Sequence, residues 1–197
     1  MVYYLFFIAK SYIISLVINM ERKINSELIY DGKIIKVLKD EVFVEKGEGI
    51  KSMREVVKHN GGAVGLVLTK DNKIKFVKQY RYAIGDYLLE LPAGKLEIGE
   101  NPKDAIYREL QEEVGVKANK IETIASTYVS PGYCTEMIHM YYVEDYEETE
   151  TNFDECEDLD LIELDVNEAY KLAEEGKILD AKTLCLMMMV KDKVFKK

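Results

Sequence analysis

The segment from Gly94 to Val116 constrains the fold of this chain more than any other. Asn101 can cap a helix, Pro102 suits the first helical position, and Gly115 supplies a stop. Between these signals the apolar residues recur at helical spacing, at Ile106, Tyr107, Leu110 and Val114. The pattern predicts an amphipathic helix whose apolar side packs into a core.

Three glutamates lie beside this apolar stripe. Glu109, Glu112 and Glu113 are spaced i, i+3 and i+4, so they share one flank of the helix. Like charges at this spacing repel, and near a helix C-terminus the helix dipole favours cations instead. One interpretation is a solvated acidic face. The other is a site for a hard divalent cation, because Mg²⁺ and Mn²⁺ bind carboxylate oxygens together with water and substrate phosphates.

Further positions of a known motif accompany the glutamates. Gly94 is followed after five residues by Glu100, and after seven more by the run from Arg108 to Val116, RELQEEVGV. This segment resembles the Nudix box at every position of the motif. The resemblance implies an α/β fold, the Nudix α/β/α sandwich with a mixed β-sheet between helices. It also implies a loop–helix–loop that binds the metals needed to hydrolyse a nucleoside diphosphate linked to another group.

Composition narrows the remaining possibilities. The chain has 197 residues, of which 48% are hydrophobic and 32% charged, which suits one domain with a modest extension. Its formal charge of −9 argues against a nucleic-acid partner, because phosphate backbones are bound mainly by Lys and Arg. The three cysteines are odd in number and lack metal-ligand spacing, which indicates reduced thiols in a cytoplasmic protein.

Residues 1–19 differ from the rest of the chain. Lys10 is the only charge between Val2 and Ile18, in a stretch rich in Tyr, Phe, Ile and Val. The length is marginal for a membrane span, and the basic start and cleavage site of a signal peptide are missing. We favour a non-native leader with the true start at Met20. An added core strand and a membrane anchor are the alternatives, and a membrane partner is expected only if the leader is native.

Turn signals divide the rest of the chain into short elements. Residues 21–59 are expected to form a small N-terminal β extension, with turns at Asp31-Gly32 and around Gly47, and residues 60–197 the main domain. The strands predicted for the main domain cover about 63–68, 73–82, 87–91, 120–128, 137–143 and 159–164, and helices follow over 167–175 and 180–193. The acidic stretch 145–158 is predicted to be a loop.

Several segments outside the box resemble the ADP-ribose pyrophosphatase branch of the family. They are Arg54-Glu55-Val56-Val57, Gln79-Tyr80-Arg81, Glu90-Leu91-Pro92-Ala93-Gly94, Ser130-Pro131-Gly132 and Asp180-Ala181-Lys182-Thr183-Leu184. The likeness implies ADP-ribose as the small-molecule nucleotide substrate, with AMP and ribose 5-phosphate as products. It also implies a homodimer whose exchanged extensions complete each other's substrate site.

The branch further suggests roles for residues of the box. The backbone carbonyl of Ala93 and the carboxylates of Glu109 and Glu113 would hold the metal ions, with Glu112 as an additional ligand. Structural roles fall to Gly94, Glu100, Arg108 and Gly115, of which Glu100 and Arg108 would form an ion pair fixing the loop on the helix. The metal would be Mg²⁺, with Mn²⁺ possible.

The base and the substrate contacts are less closely defined. A glutamate in a late acidic loop supplies the base in this branch, and both Glu155 and Glu157 lie in the matching stretch. Glu136 would contact substrate or position water. Arg54 and Arg81 suit phosphate or ribose, because a guanidinium donates to two oxygens at once, but single arginines are more often surface cations. Tyr30 could stack on adenine or pack in a core.

Two other functions remain open at this point. The first is a Nudix pyrophosphatase for another nucleotide, such as a nucleoside triphosphate, a sugar nucleotide or a dinucleoside polyphosphate. The second is a non-catalytic ligand-sensing Nudix domain. The complete set of box glutamates and the lack of a visible DNA-binding segment disfavour the sensor.

Overall fold

A computed structural model describes residues 21–45, 47–152 and 159–196. The predictions about residues 1–19 and about Glu155 and Glu157 therefore lie outside the described residues. The strands are β1 Glu21–Asp31, β2 Lys36–Val44, β3 Ile50–Lys58, β4 Gly62–Val67, β5 Lys73–Arg81, β6 Asp86–Glu90, β7 Ala93–Lys95, β8 Val116–Tyr128, β9 Met137–Glu148 and β10 Leu159–Asp165. The helices are α1 Pro102–Val114, α2 Val166–Glu174 and α3 Ala181–Phe195.

The described chain divides into two compact units. The first contains the residues up to His59 together with Gly132–Cys134, and the second contains Asn60–Pro131 and the residues from Thr135 onward. In the first unit β1, β2 and β3 form an antiparallel meander. The predicted turn after Asp31 is present, with the Gly32 N–H donating to the Ile35 carbonyl at 3.0 Å. Every residue of β1 is exposed.

The second unit contains two sheets. One has the order β7-β4-β9-β8, in which β4 and β9 are parallel and the other pairs antiparallel, so this sheet is mixed. The other has the antiparallel order β10-β5-β6. Short strand β7 places Ala93 beside Val64 and Gly94 beside Ala63. The residues that precede the box helix are therefore fixed in the central sheet.

Strand β4 is buried throughout, and its alternate residues face two different helical layers. Val64 and Leu66 belong to a core with α2 and α3, whereas Ala63 and Val67 belong to a core with α1. The mixed sheet thus lies between helices, as the family resemblance implies. No helix in the described ranges is both long and apolar enough to cross a membrane.

The strand pair β8–β9 is longer than predicted. β8 begins at Val116 and β9 runs to Glu148, so the first part of the predicted acidic loop, from residue 145, is strand instead. Glu147 lies opposite Lys117, and their side chains form an ion pair at 3.7 Å. The loop prediction is wrong for these residues, because cross-strand lysines allow the acidic stretch to pair at the solvent-exposed end of a sheet.

Candidate active site

Helix α1 begins and ends where the sequence predicts. The side chain of Asn101 accepts a hydrogen bond from the Lys103 N–H at 2.9 Å. Gly115 is left-handed with a φ of 61°, and its N–H donates to the Leu110 carbonyl. A Cβ at this position would lie 2.4 Å from the Thr149 carbonyl oxygen, so glycine is required both for backbone conformation and for space.

The negative end of α1 is stabilised from outside the helix. The last turn of α1 contains no basic residue. Lys75 of β5, which is 3% exposed, donates instead to the Val114 carbonyl at 3.4 Å. Its ammonium also pairs with Glu148 at 3.0 Å and Glu163 at 3.5 Å. This lysine offsets the helix dipole beside the three glutamates, and no local sequence signal identified it.

Glu113 is the innermost of the three glutamates. It is 2% exposed, and its Oε2 accepts a hydrogen bond from the Ala93 N–H at 2.9 Å. The bond joins the helix to Ala93, the residue whose carbonyl, in the following peptide unit, is the predicted metal ligand. A carboxylate fixed in this way has one face set by the backbone and needs little reorganisation to bind a ligand.

Glu109 lies against the next residue of the same segment. A Cβ built on Gly94 would fall 1.7 Å from Glu109 Oε1, so only glycine leaves room for this carboxylate. Glu109 and Glu113 therefore flank the consecutive residues Ala93 and Gly94. The structure brings these four sequence-predicted residues together.

Arg108 links the remaining residues of the box. Its Nη1 donates to Glu109 at 2.7 Å and to Glu112 at 3.0 Å, and its Nη2 pairs with Glu100 at 3.4 Å. Burial by itself would lower the pKa of Arg108, but the carboxylates outweigh burial and raise it. Glu100 also accepts a hydrogen bond from the Glu97 N–H at 2.8 Å, which holds the loop before α1.

The donor set fits a hard divalent cation. Glu109, Glu112, Glu113 and the Ala93 carbonyl offer oxygen alone, the ligand type that suits Mg²⁺ and Mn²⁺. As they stand, no three acidic, histidine or cysteine side chains among the described residues are grouped closely enough to hold a metal. Two of the box carboxylates, Glu109 and Glu112, are instead paired with Arg108.

A second charged cluster lies at the end of β6. Arg81 donates through Nε and Nη2 to the two oxygens of Glu90, both at 2.6 Å. Lys182 also donates to Glu90, and it pairs with Asp180 at 3.0 Å. Burial would raise the pKa of Glu90, but Arg81 and Lys182 lower it below the usual value. The hydrogen bond that Arg81 donates to Glu90 raises the pKa of Arg81, and the charges of Glu90, Asp180 and Glu113 add to this.

Sequence reasoning gave a role to Arg81, whereas Glu90, Asp180 and Lys182 entered it only as members of segments that resemble the ADP-ribose branch. A signal for them existed, because Glu90 interrupts an apolar run, Tyr87 to Leu91, and a carboxylate in such a run needs a buried partner. Lys182 and Asp180 carried no such signal, since only the fold brings α3 to β6.

The other predicted substrate residues are Tyr30, Arg54 and Glu136. Tyr30 and Arg54 belong to the first unit. Arg54 forms a two-point ion pair with Glu21, with Nε at 2.9 Å and Nη2 at 2.5 Å from its oxygens. The ring of Tyr30 lies against Gly32 and is half exposed. Glu136 immediately precedes β9, and its carbonyl accepts from the Val129 N–H at 3.2 Å.

The family assignment rests on a match that covers most of the second unit. A model of the NUDIX domain family matches residues 59–186, which include the sheet, the box and the first turns of α3. The chain belongs to the Nudix family. It is a Nudix hydrolase, and hydrolases of this family generally use divalent metal ions.

Relatives and a solved structure agree with this assignment. The chain is 39% identical over 166 residues to a protein of Bacillus methanolicus named methanol dehydrogenase activator, covering 83% of this chain and 89% of the relative. It is 38% identical over 165 residues to an ADP-ribose pyrophosphatase of Bacillus subtilis (strain 168), covering 83% and 88%. A solved ADP compounds hydrolase superposes with a TM-score of 0.77 at 18% identity, over 90% of this chain and 96% of that one, which shows the fold.

Proposed function

We propose that this Nudix hydrolase cleaves the diphosphate bond of ADP-ribose with Mg²⁺, giving AMP and ribose 5-phosphate. The observation that carries the proposal is the position of Arg81. Its guanidinium is partly exposed and pairs with Glu90, three residues before Ala93, whose N–H donates to the innermost box glutamate, Glu113. A cation held on the segment that leads to the metal carboxylates suits a substrate with two adjacent phosphates. The identity to an ADP-ribose pyrophosphatase supports the same substrate.

Residues of α1 and β7 would bind the metal and hold its carboxylate ligands in place. Glu109, Glu112, Glu113 and the Ala93 carbonyl would hold Mg²⁺, which when bound supplies charge neutralisation of the diphosphate and an acidified water. The Ala93 N–H orients the Glu113 carboxylate before any ligand arrives. Arg108 holds the neighbouring carboxylates in place, so that their mutual repulsion does not spread them apart.

Arg81 and a glutamate base would complete the site. Glu90 occupies Nε and Nη2 of Arg81, which leaves the Nη1 amino group for phosphate oxygens. Glu155 and Glu157 are the candidates for the base that takes the proton of the attacking water. We assign Glu136 to contact with substrate or to positioning of water, as the family resemblance implies.

The exposed extension supports a homodimer as the working form. The meander of the first unit presents a set of large apolar side chains to solvent, namely Ile24, Leu28, Ile29, Tyr30, Ile34 and Met53. An exposed edge strand with apolar side chains is normally covered by a partner. We infer that a second copy of the chain covers it, and that Arg54 and Tyr30 then serve the partner's substrate site.

The cytoplasm is the compartment that we propose. Neither Cys134 nor Cys185, the two cysteines within the described ranges, is in a disulfide. Such thiols suit a reducing environment.

The experiment that tests the function is a substrate panel with purified protein. ADP-ribose, a GDP-sugar, a dinucleoside polyphosphate and nucleoside triphosphates are assayed with Mg²⁺, with and without EDTA. We expect the highest kcat/KM for ADP-ribose, AMP as a product, and loss of activity in EDTA that added Mg²⁺ reverses. A higher kcat/KM for another nucleotide would replace the substrate. Binding without turnover of any compound would favour the sensing alternative.

A further inference from the structure

Residues 90–93 connect β6 to β7, and α3 holds the first half of this connection. The Leu91 N–H donates to Thr183 Oγ1 at 2.8 Å, and the Thr183 hydroxyl donates to Asp180 at 2.6 Å. Asp180 also accepts from the Thr183 N–H at 3.0 Å and thereby caps α3. Thr183 is fully buried. The backbone that leads to the box is thus hydrogen-bonded to the N-terminus of the last helix.

The second half of the connection is held by β4 and α1. The Gly65 N–H donates to the Pro92 carbonyl at 3.0 Å. The Ala93 N–H donates to Glu113 at 2.9 Å. Residues 91, 92 and 93 are thus each hydrogen-bonded to a different element, namely α3, β4 and α1.

The Glu90 carboxylate is shared between two cations. Lys182 and Arg81 Nη2 donate to the same oxygen, Oε2. Lys182 also pairs with Asp180. The cluster therefore contains two carboxylates and two cations, and its formal charge is zero. The side chain of Arg81 is 39% exposed, against 2% for Glu90 and 16% for Lys182. Arg81 is the most exposed member of a cluster in which Glu90 is buried and Lys182 and Asp180 are partly buried.

We propose that Lys182 is a positioning residue for hydrolysis: it neutralises Glu90 and Asp180 so that Arg81 stays directed toward the substrate diphosphate. The inference rests on the proposed function, because it assigns Arg81 to the diphosphate. Without the Lys182 charge, two carboxylates, of Glu90 and Asp180, face one guanidinium. Arg81 is then drawn inward, and the formal charge beside the substrate changes from zero to minus one.

Removal of the Lys182 charge is therefore expected to cause a specific kinetic defect. An anionic substrate binds less well next to an uncompensated carboxylate, so KM rises. Lys182 contacts none of the box glutamates, as its described partners are Glu90 and Asp180. The kcat at saturating substrate is therefore retained. A purely structural lysine would lower the melting temperature instead, with KM unchanged.

Three variants of α3 test the proposal in the full-length protein. Lys182→Met should raise KM for ADP-ribose roughly tenfold or more and leave kcat within about threefold, and Lys182→Arg should restore most of the affinity. Lys191→Met is the matched control, because Lys191 lies on the same helix in an ion pair with Glu174 at 3.1 Å. It should leave both constants unchanged. If Lys182→Met does not fold, Lys182→Gln removes the same charge and keeps a hydrogen-bond donor.

The outcomes separate this proposal from the proposed function. If the wild-type protein does not hydrolyse ADP-ribose, the proposed function fails. The role of Lys182 is then measured as the dissociation constant of inorganic pyrophosphate with Mg²⁺, by calorimetry, where the same roughly tenfold weakening is expected. An unchanged KM or dissociation constant in a folded Lys182→Met or Lys182→Gln protein would overturn the positioning role. An equal loss in Lys182→Arg would also overturn it, since the charge is retained.

Discussion

The carboxylate of Glu109 lies where the side chain of residue 94 would begin. A Cβ on Gly94 would be 1.7 Å from Glu109 Oε1 and 2.5 Å from Oε2. The glycine that opens the Nudix box is therefore required by a glutamate of the following helix, and not by its own backbone conformation, since its φ is not positive.

Gly94→Ala should impair activity more than stability. The new methyl group displaces a flexible carboxylate rather than backbone, so the free energy of unfolding should fall by only about 1 kcal/mol. Displacement of a metal ligand by an ångström or more should lower kcat/KM roughly a hundredfold. Thermal denaturation and steady-state assays at several Mg²⁺ concentrations measure the two effects.

Gly176→Ala provides a control of similar stability cost. Gly176 follows α2 with a φ of 69°, and a Cβ there meets nothing within 4 Å. The left-handed conformation should cost about 1 kcal/mol of stability and leave kcat/KM unchanged. Equal losses of activity in the two variants would show that Gly94→Ala acts through stability alone.

Glu113→Gln should keep the fold and abolish most turnover. The amide oxygen of the new side chain can still accept from the Ala93 N–H, but it supplies no charge to a metal. We expect kcat to fall by several decades, roughly a thousandfold or more, at saturating Mg²⁺. Circular dichroism checks the fold. Turnover close to that of the wild type, or full activity in EDTA, would contradict the metal-dependent mechanism.

Arg81→Ala and Arg54→Ala should each raise KM for ADP-ribose. A lost charge-assisted contact is worth about 1.5–3 kcal/mol, which corresponds to roughly a ten- to a hundredfold change. Arg22→Ala is the control for Arg54, because Arg22 lies in the same meander, with its guanidinium 5.5 Å from the Phe43 ring centroid. Unchanged KM in both test variants would remove the reason for choosing ADP-ribose and leave the family assignment intact.

Mixed dimers test whether Arg54 serves the partner subunit. Arg54→Ala and Glu113→Gln chains are each defective, but in an exchanged dimer one site combines the intact Glu113 of one chain with the intact Arg54 of the other. Mixing them should therefore restore one working site per dimer. If the mixture shows only the residual activity of its components, Arg54 acts within its own chain, where it pairs with Glu21.

The stability contributed by Glu90 should depend on pH. Arg81 and Lys182 lower the pKa of Glu90 below its usual value of 4.5. The carboxylate therefore stabilises the folded state fully above that value, and the contribution is lost as the pH falls through the lowered pKa. Urea denaturation of the wild type and Glu90→Gln, from about pH 7 to about pH 3, should show a difference that shrinks with acidity.

Glu174, an exposed residue at the end of α2, serves as the control for this titration. Glu174→Gln removes the partner of Lys191 at the surface and should change stability little at any pH. A difference between the wild type and Glu90→Gln that is constant over the whole range would contradict the lowered pKa.

Local patterns were sufficient to predict the helix of the box. Its cap, its stop and its apolar stripe all lie within one segment, and the structure reproduces its bounds at Pro102 and Val114. The ends of β8 and β9 were not predictable in the same way, because acidic residues such as Glu147 pair there only through a partner strand.

Contacts between charged residues far apart in the sequence were the main feature that the sequence did not predict. Lys75 reaches the end of α1 from a strand far earlier in the sequence, and Lys182 reaches β6 from the last helix. Neither residue stands in a motif that marks its charge as buried. The sequence shows which charges exist, but the fold decides which of them meet.

The hydrogen bond between Leu91 and Thr183 has a practical consequence for dissecting this protein. The family match ends at residue 186, whereas α3 continues to Phe195. A recombinant fragment trimmed to the matched region would cut this helix soon after its cap and let the remaining turns fray. Fraying would weaken the hydrogen bond from Leu91 to Thr183, two residues before Ala93. We therefore expect the shortened fragment to lose activity, although it keeps every residue of the box.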